Sequence, residues 1–272
     1  MLQIERTVLP SPEQWDIIIE GMRNPMNSWW KSDSAICPGA DGFEDCCQSI
    51  TGVCPRHENF QNDVFCLGKN DHDLMMGLAK GGAVHAKYRR MIPVFLTINA
   101  PLYWWKEFDT YKVGTVANSC STMHKIHAKR FTLDDFSHEH LIGLYTPGSV
   151  DAFIEINSAD HCLYSPLFIL ENVIIKALNK NRDNYITASE ALKGRDLTDA
   201  ERKHITAQQK FFWWQMIQLL PTSYNQKRTV MLNYEVLCNI YHSRKNHKLD
   251  EWHIFCDWIR ALPYSELITG GE

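Results

Sequence analysis

Residues 220–244 read LPTSYNQKRTVMLNYEVLCNIYHSR, and the second half of this stretch decides the fold. Residues 227–232 are short, partly β-branched and apolar enough for a strand. Asn233 then offers a side-chain oxygen to cap a helix running from Tyr234 to Arg244. Asn233 and Arg244 are about three helical turns apart, so a continuous helix presents both on one side. Residues 250–262 follow with Trp252, Phe255, Ile259 and Leu262 at helical spacing, which predicts a last amphipathic helix.

Working upstream, Ser11-Pro12-Glu13-Gln14 is a helix start: a Ser cap, Pro at the first helical position and an amide able to reach back. The helix is expected to run through Trp15, Ile18, Ile19 and Met22 toward Trp29-Trp30. Residues 32–69 carry Gly, Pro, Asp, Asn and five cysteines with little periodicity and read as a long loop or insertion. A helix over 71–80 is closed by Gly81-Gly82. Residues 91–99 read as a strand with Pro93 near an edge or bulge, and Pro101 opens a helix carrying Leu102, Trp104, Trp105 and Phe108. Further helices are expected around 166–178 and 200–219, with capping boxes at Thr187-Ala188-Ser189-Glu190 and Thr198-Asp199-Ala200-Glu201. No internal repeat or linker interrupts the pattern. One elaborated α+β domain over residues 1–272 fits it.

Composition narrows the function classes. A formal charge of −4 gives no basis for binding a nucleic acid polymer, which usually needs a basic excess. No apolar run approaches the roughly 18 residues of a membrane span, so no membrane contact is expected. The first residues lack a signal-peptide core, and nine cysteines is an odd number; both favour reduced thiols in a cytoplasm over a disulfide framework.

Two sets of residues share a pattern. The first is His85, then Ala100-Pro101 opening a helix, Thr110-Tyr111-Lys112, Asn118 and Ser121. The second is Leu220-Pro221, Asn233, Asn239 and Arg244. Together they resemble the flavin-dependent thymidylate synthases, over roughly residues 71–124 and 219–262. Thr110-Tyr111-Lys112 stands where that family carries Arg-His-Arg, Glu235 where it carries an Arg, Ile217 in place of a basic residue, and Met123-His124 in place of Arg-Tyr.

The resemblance implies a single α+β domain with a mixed sheet flanked by long helices, assembled as a homotetramer with active sites between subunits. It implies FAD as cofactor, NADPH and methylenetetrahydrofolate as co-substrates, and reductive methylation of dUMP or a related pyrimidine nucleotide. His85, Lys112, Asn118, Asn233 and Asn239 would surround the flavin. Ser121 and Arg244 would face the nucleotide, with Arg244 stabilising charge on the pyrimidine carbonyl. A non-catalytic nucleotide-binding or interaction protein on the same scaffold is the alternative.

Two metal patterns are weaker. Cys37, Cys46, Cys47, Cys54 and Cys66 with His57 lack the close Cys-x2-Cys pairs that zinc sites use. Residues 179–190 echo a calcium loop without its first Asp or its turn Gly. No metal is expected, and His138-Glu139-His140 is read as solvated.

Overall fold

The computed structural model describes residues 1–37, 64–144, 152–155, 163–193 and 196–271. In chain order the elements are β1 (Gln3–Val8), α1 (Pro12–Arg23), β2 (Ala35–Cys37), β3 (Val64–Cys66), α2 (Lys69–Lys80), β4 (Pro93–Pro101), α3 (Leu102–Phe108), β5 (Val116–Ser119) and α4 (Thr122–Lys125). They continue with β6 (Ile154–Glu155), β7 (Leu163–Tyr164), α5 (Pro166–Ile169), α6 (Ile175–Ala191), α7 (Asp199–Leu219), β8 (Asn225–Asn233), α8 (Tyr234–Arg244), α9 (Asp250–Arg260) and α10 (Glu266–Thr269). The fold is α+β, with a four-stranded sheet in the order β1-β4-β8-β5 and long helices, as expected. Among the described residues no helix is long and apolar enough to cross a membrane.

Backbone contacts divide the chain into two compact units. The first comprises Met1–Gln3, Asn99–Phe108 and Ser119–Arg228. Its core gathers Ile126, Phe131, Phe136, Leu170, Ile175, Leu178 and Met216, so α6 and α7 bury one stripe each. On α3, Trp104 packs edge-on to Trp105 and against Phe108, all buried, and the Trp105 indole N–H donates to the Gln226 carbonyl at 2.9 Å. The capping box at Thr198 forms as expected.

The one at Thr187 does not. Ser165 caps α5, a π-helical turn at Leu170–Ile174 follows, and α6 then runs without a break to Ala191. Thr187 and Ser189 therefore sit inside a helix, donating to the Asp183 and Tyr185 carbonyls one turn back. The calcium echo fails for the same reason: Asn179 spends its amide on the N–H and carbonyl of Phe131, at 2.9 Å each, and never opens a loop.

The second unit comprises Ile4–Ile98, Asp109–Asn118 and Thr229–Glu272. Helix α1 starts at the expected capping box, with Gln14 N–H on Ser11, and buries Trp15, Ile18, Ile19 and Met22. It stops at Arg23, short of Trp29-Trp30: Pro25 has no N–H to continue the ladder, Asn27 turns left-handed at φ 45°, short 3₁₀ turns follow and Trp30 is exposed. The strand expected at 91–99 is displaced to 93–101. Pro93 opens it at a first-residue position, although β4 is an interior strand and not an edge. Helices α8 and α9 lie where the spacing put them, with Trp252, Phe255 and Ile259 fully buried.

Residues 32–69 are not wholly irregular: β2 pairs antiparallel with β3, Ile36 facing Phe65. Cys46, Cys47, Cys54 and His57 lie outside the described residues, and Cys66 is buried. Among the described residues no group of His, Cys, Asp and Glu could hold a metal ion.

The base of this segment is tied to α2 through the Asp71 carboxylate. Asp71, fully buried, receives Arg23 Nε at 2.5 Å, the Ser32 and Ser34 hydroxyls at 2.7 Å, and the Asp33 and Ser34 N–H groups at 3.1 Å. Burial alone would raise the Asp71 carboxyl; the hydrogen bonds from Ser34, Ser32 and Arg23 outweigh it and hold the pKa below the ordinary aspartate value. Because the folded-state value is depressed, the stabilisation is complete above the unfolded carboxyl pKa of about 4 and is lost as pH falls through the folded value. Asp71→Ala leaves Arg23 buried without its carboxylate and should cost about 3–5 kcal/mol. Urea denaturation measures this, and the gap to the native chain should be full at neutral pH and narrow below about pH 4.

Candidate functional site

Helix α8 organises the second unit's polar residues. Asn233 ends β8 in an extended conformation and its Oδ1 accepts the Val236 N–H at 3.1 Å, which starts the helix. The next residue locks the helix in place. Tyr234 N–H donates to the Ile92 carbonyl at 3.2 Å and its hydroxyl to the Pro263 carbonyl at 2.6 Å, and burial pushes its pKa up. With Tyr234, Leu237, Ile240 and Tyr241 buried, the remaining faces have fixed directions. Glu235, Cys238, Asn239 and His242, at i, i+3, i+4 and i+7, share one stripe. Arg244 falls roughly 140° around the axis from Asn239 at 100° per residue.

The stripe is one wall of a cleft of ≈ 340 Å³. Met76, Ala79 and Lys80 of α2, then Gly82 and Ala83, line another part, with Ile268 and Gly270 from the C-terminal end. Gly82 and Gly270 have φ of 86° and 84°, and a Cβ at either would meet open space, so the lips of the cleft are bare backbone. Arg89, 7% exposed, also lines it and donates from Nη1 to Cys238 Sγ at 3.5 Å. Among the described residues, Arg89 Nε and Glu235 Oε2 are buried without a hydrogen-bond partner. The Cys238 thiol is pushed up by burial, with Arg89 opposing and Glu235 adding to the shift. Tyr88, beside Arg89, is pushed up to about 12, again chiefly by burial.

The other side of α8 meets the segment that carries Tyr111. Arg244 Nε donates to the Tyr111 hydroxyl at 2.9 Å, and its guanidinium lies 4.9 Å from the Trp252 ring centroid and 5.6 Å from that of Tyr111. A turn at 112–115 then brings Gly114, φ 80°, against the cap: a Cβ there would stand 3.1 Å from Val236 Cγ2 and 3.2 Å from Asn233 Nδ2. Residues from the two resembling segments are therefore brought together, Tyr111 with Arg244 and Gly114 with Asn233.

The other expected residues are distributed as follows. Asn239 lines the cleft. His85 is exposed, its ring folded over Gly81, next to cleft-lining Ala83 without lining the cleft itself. Lys112 and Asn118 are exposed, on the turn and on β5. Ser121 belongs to the first unit, where its hydroxyl caps α4 by accepting the His124 N–H at 3.0 Å.

Sequence reasoning missed Arg89, Cys238 and His242 in the cleft and the role of Trp252. The i, i+3, i+4, i+7 recurrence of polar residues from Glu235 was a usable signal for two of them. Arg89 gives none, since nothing local distinguishes it from exposed Arg90.

No family model and no curated protein matches the sequence. Among solved structures, the chain is similar to thymidylate synthase X of Helicobacter pylori crystallised with FAD and dUMP. The TM-score is 0.50 at 13% identity, over 99% of this chain and 97% of that one. A second crystal structure of the flavin-dependent thymidylate synthase from Helicobacter pylori, complexed with FAD and dUMP, gives 0.49 at 13% identity over 99% and 98%. At this identity the likeness is one of fold.

Asn233→Ala removes the cap of α8 and should lower stability by about 1 kcal/mol. A guanidinium titration followed by far-UV circular dichroism measures it.

Proposed function

We propose that this protein is a flavin-dependent enzyme of the thymidylate synthase type, which reductively methylates dUMP or a related pyrimidine nucleotide. One observation carries the reading. Tyr111 and Arg244, 133 positions apart in sequence and in the two segments that resemble the family, share a hydrogen bond in the second unit. The FAD and dUMP in the Helicobacter pylori structures support it at the level of fold.

The cleft beside Asn239 fits part of the cofactor. Its ≈ 340 Å³ lies at the lower end of small-molecule sites, enough for a flat ring system with the rest of a dinucleotide outside. Bare glycine lips, the apolar Met76, Ala79 and Ile268, and the orphaned polar atoms of Arg89 and Glu235 suit a planar heterocycle with polar edges. Asn239 would hold the ring, with His85, Lys112, Asn118 and Asn233 closing around the remainder of the cofactor. A bound flavin would supply hydride chemistry, with NADPH as reductant and methylenetetrahydrofolate as carbon donor.

Arg244 would act on the nucleotide. Its guanidinium is oriented by the Tyr111 hydroxyl and the Trp252 face, so its charge is pre-aimed at a carbonyl that becomes negative during reaction. The reading carries a cytoplasmic homotetramer with active sites between subunits. Exposed Phe168, Phe211, Trp214 and Leu219 in the first unit are apolar surface of the kind an interface covers. A non-catalytic nucleotide-binding descendant is the second reading, favoured by Glu235, Ile217 and Met123 standing where the family has basic residues.

Purification separates the two. The enzyme reading expects yellow protein that releases FAD on denaturation; colourless protein indifferent to added FAD sinks it. Arg244→Ala should lower turnover of dUMP at least about 100-fold while thermal unfolding moves by only a few degrees.

A further inference from the structure

We propose that Arg89 and Glu235 form a donor–acceptor pair that reads the imide edge of a planar heterocycle, an N–H flanked by carbonyls, and that Glu235 sets the preference. The inference deepens the reading above, on which the choice of flavin as the ring rests. Both side chains line the one cleft, and each keeps a polar atom that is buried and, among the described residues, unpartnered. A buried donor or acceptor left unmade is costly, and such groups are retained where a ligand completes them.

The two residues have fixed and opposite capabilities: a guanidinium only donates and a carboxylate only accepts. Of this pair, a ligand anion would meet Arg89 but face Glu235, and a ligand cation the reverse; Lys80, exposed at the wall, adds a second cation outside the pair. A neutral edge with a carbonyl beside an N–H answers both. Cys238, three residues after Glu235 on α8, is a weak acceptor for Arg89 Nη1, and burial favours its neutral thiol form. Asn239, one turn beyond Glu235, carries both a donor and an acceptor and extends the same edge. Glu235 stands where the resembling family has an Arg, so in this chain a donor has become an acceptor.

Flavins and uracil both present an imide, and one N-methyl group removes its N–H from either. The full-length protein, stripped of copurified flavin, is titrated with riboflavin and 3-methylriboflavin by fluorescence quenching. It is also titrated with uridine and 3-methyluridine by calorimetry. Methylation should weaken binding about 10- to 100-fold for at least one pair, the loss expected when a buried carboxylate oxygen loses its donor. In Glu235→Ala the ratio should fall to near one. Discrimination in the riboflavin pair upholds both the inference and the flavin reading. Discrimination in the uridine pair alone upholds the inference and removes flavin from the cleft. Equal binding of methylated and unmethylated rings, no binding of any of the four, or a ratio that survives in Glu235→Ala overturns it. Should that variant fail to fold, the ratio in the native chain alone decides.

Discussion

The second unit rests on a carboxylate that has no contact with water. Asp71 sits in the first turn of α2 and collects Arg23 from α1 and the backbone and hydroxyls of residues 32–34. Asp33 returns the tie by accepting the Asn70 and Asp71 N–H groups at the start of α2, at 2.9 and 3.2 Å. Gly68 precedes them because a Cβ there would overlap the Asp33 carboxylate at 2.2 Å. A buried ion pair of this kind adds little net stability over an apolar replacement, but it specifies one arrangement, since any other leaves a charge uncompensated. What it specifies is the position of α2, the helix whose Met76, Ala79 and Lys80 form one wall of the cleft.

The opposite wall is fixed by different means. Helix α8 is started by an amide cap and held by a buried tyrosine bonded at both ends, so its rotation about its own axis is set before any exposed residue matters. Helical geometry then sorts its polar residues by direction. One stripe carries an acid, a thiol and an amide into the cleft; the C-terminal Arg244 leaves by another face and is taken up between Tyr111 and Trp252. Eleven residues thus serve two sites with separate chemistry. The cleft carries charges of both signs, with a donor on Arg89 and an acceptor on Glu235 left open, and the Arg244 site is a cation held against aromatic faces.

What was legible in the sequence follows from the range of the forces involved. The Ser11 box, the Thr198 box, the Asn233 cap and the Gly81-Gly82 stop are local hydrogen-bonding or steric events, and each was readable within four residues. The Thr187 box had the same local pattern and failed. The helical run that begins at Ser165 carries through it, and Asn179 is claimed by the backbone of Phe131, 48 positions away. In the candidate site the same division holds. Asn233 and Arg244 were readable as cap and last-turn cation, whereas the burial of Arg89 and its meeting with Cys238 depend on residues 149 positions apart. No local rule reports that.

The residues at which the chain departs from the pattern it resembles have a consistent physical sense. Tyr111 stands in the middle of a triplet that is basic in the resembling family, and its hydroxyl is the acceptor for Arg244 Nε. A cation at that position would repel the guanidinium it now orients; a phenol accepts its hydrogen bond and offers a ring edge to Trp252. On the cleft side Glu235 carries a negative charge in a wall that buried Arg89 also lines, and an arginine at 235 would have opposed that cation. In both places the side chain present carries no positive charge where a guanidinium is already buried or half-buried. Each therefore lowers the electrostatic cost of holding Arg89 and Arg244 in fixed positions. With a phenol at 111 and a carboxylate at 235, Arg244 meets an acceptor and Arg89 shares its cleft with an opposite charge, so neither guanidinium has to be held against a second one.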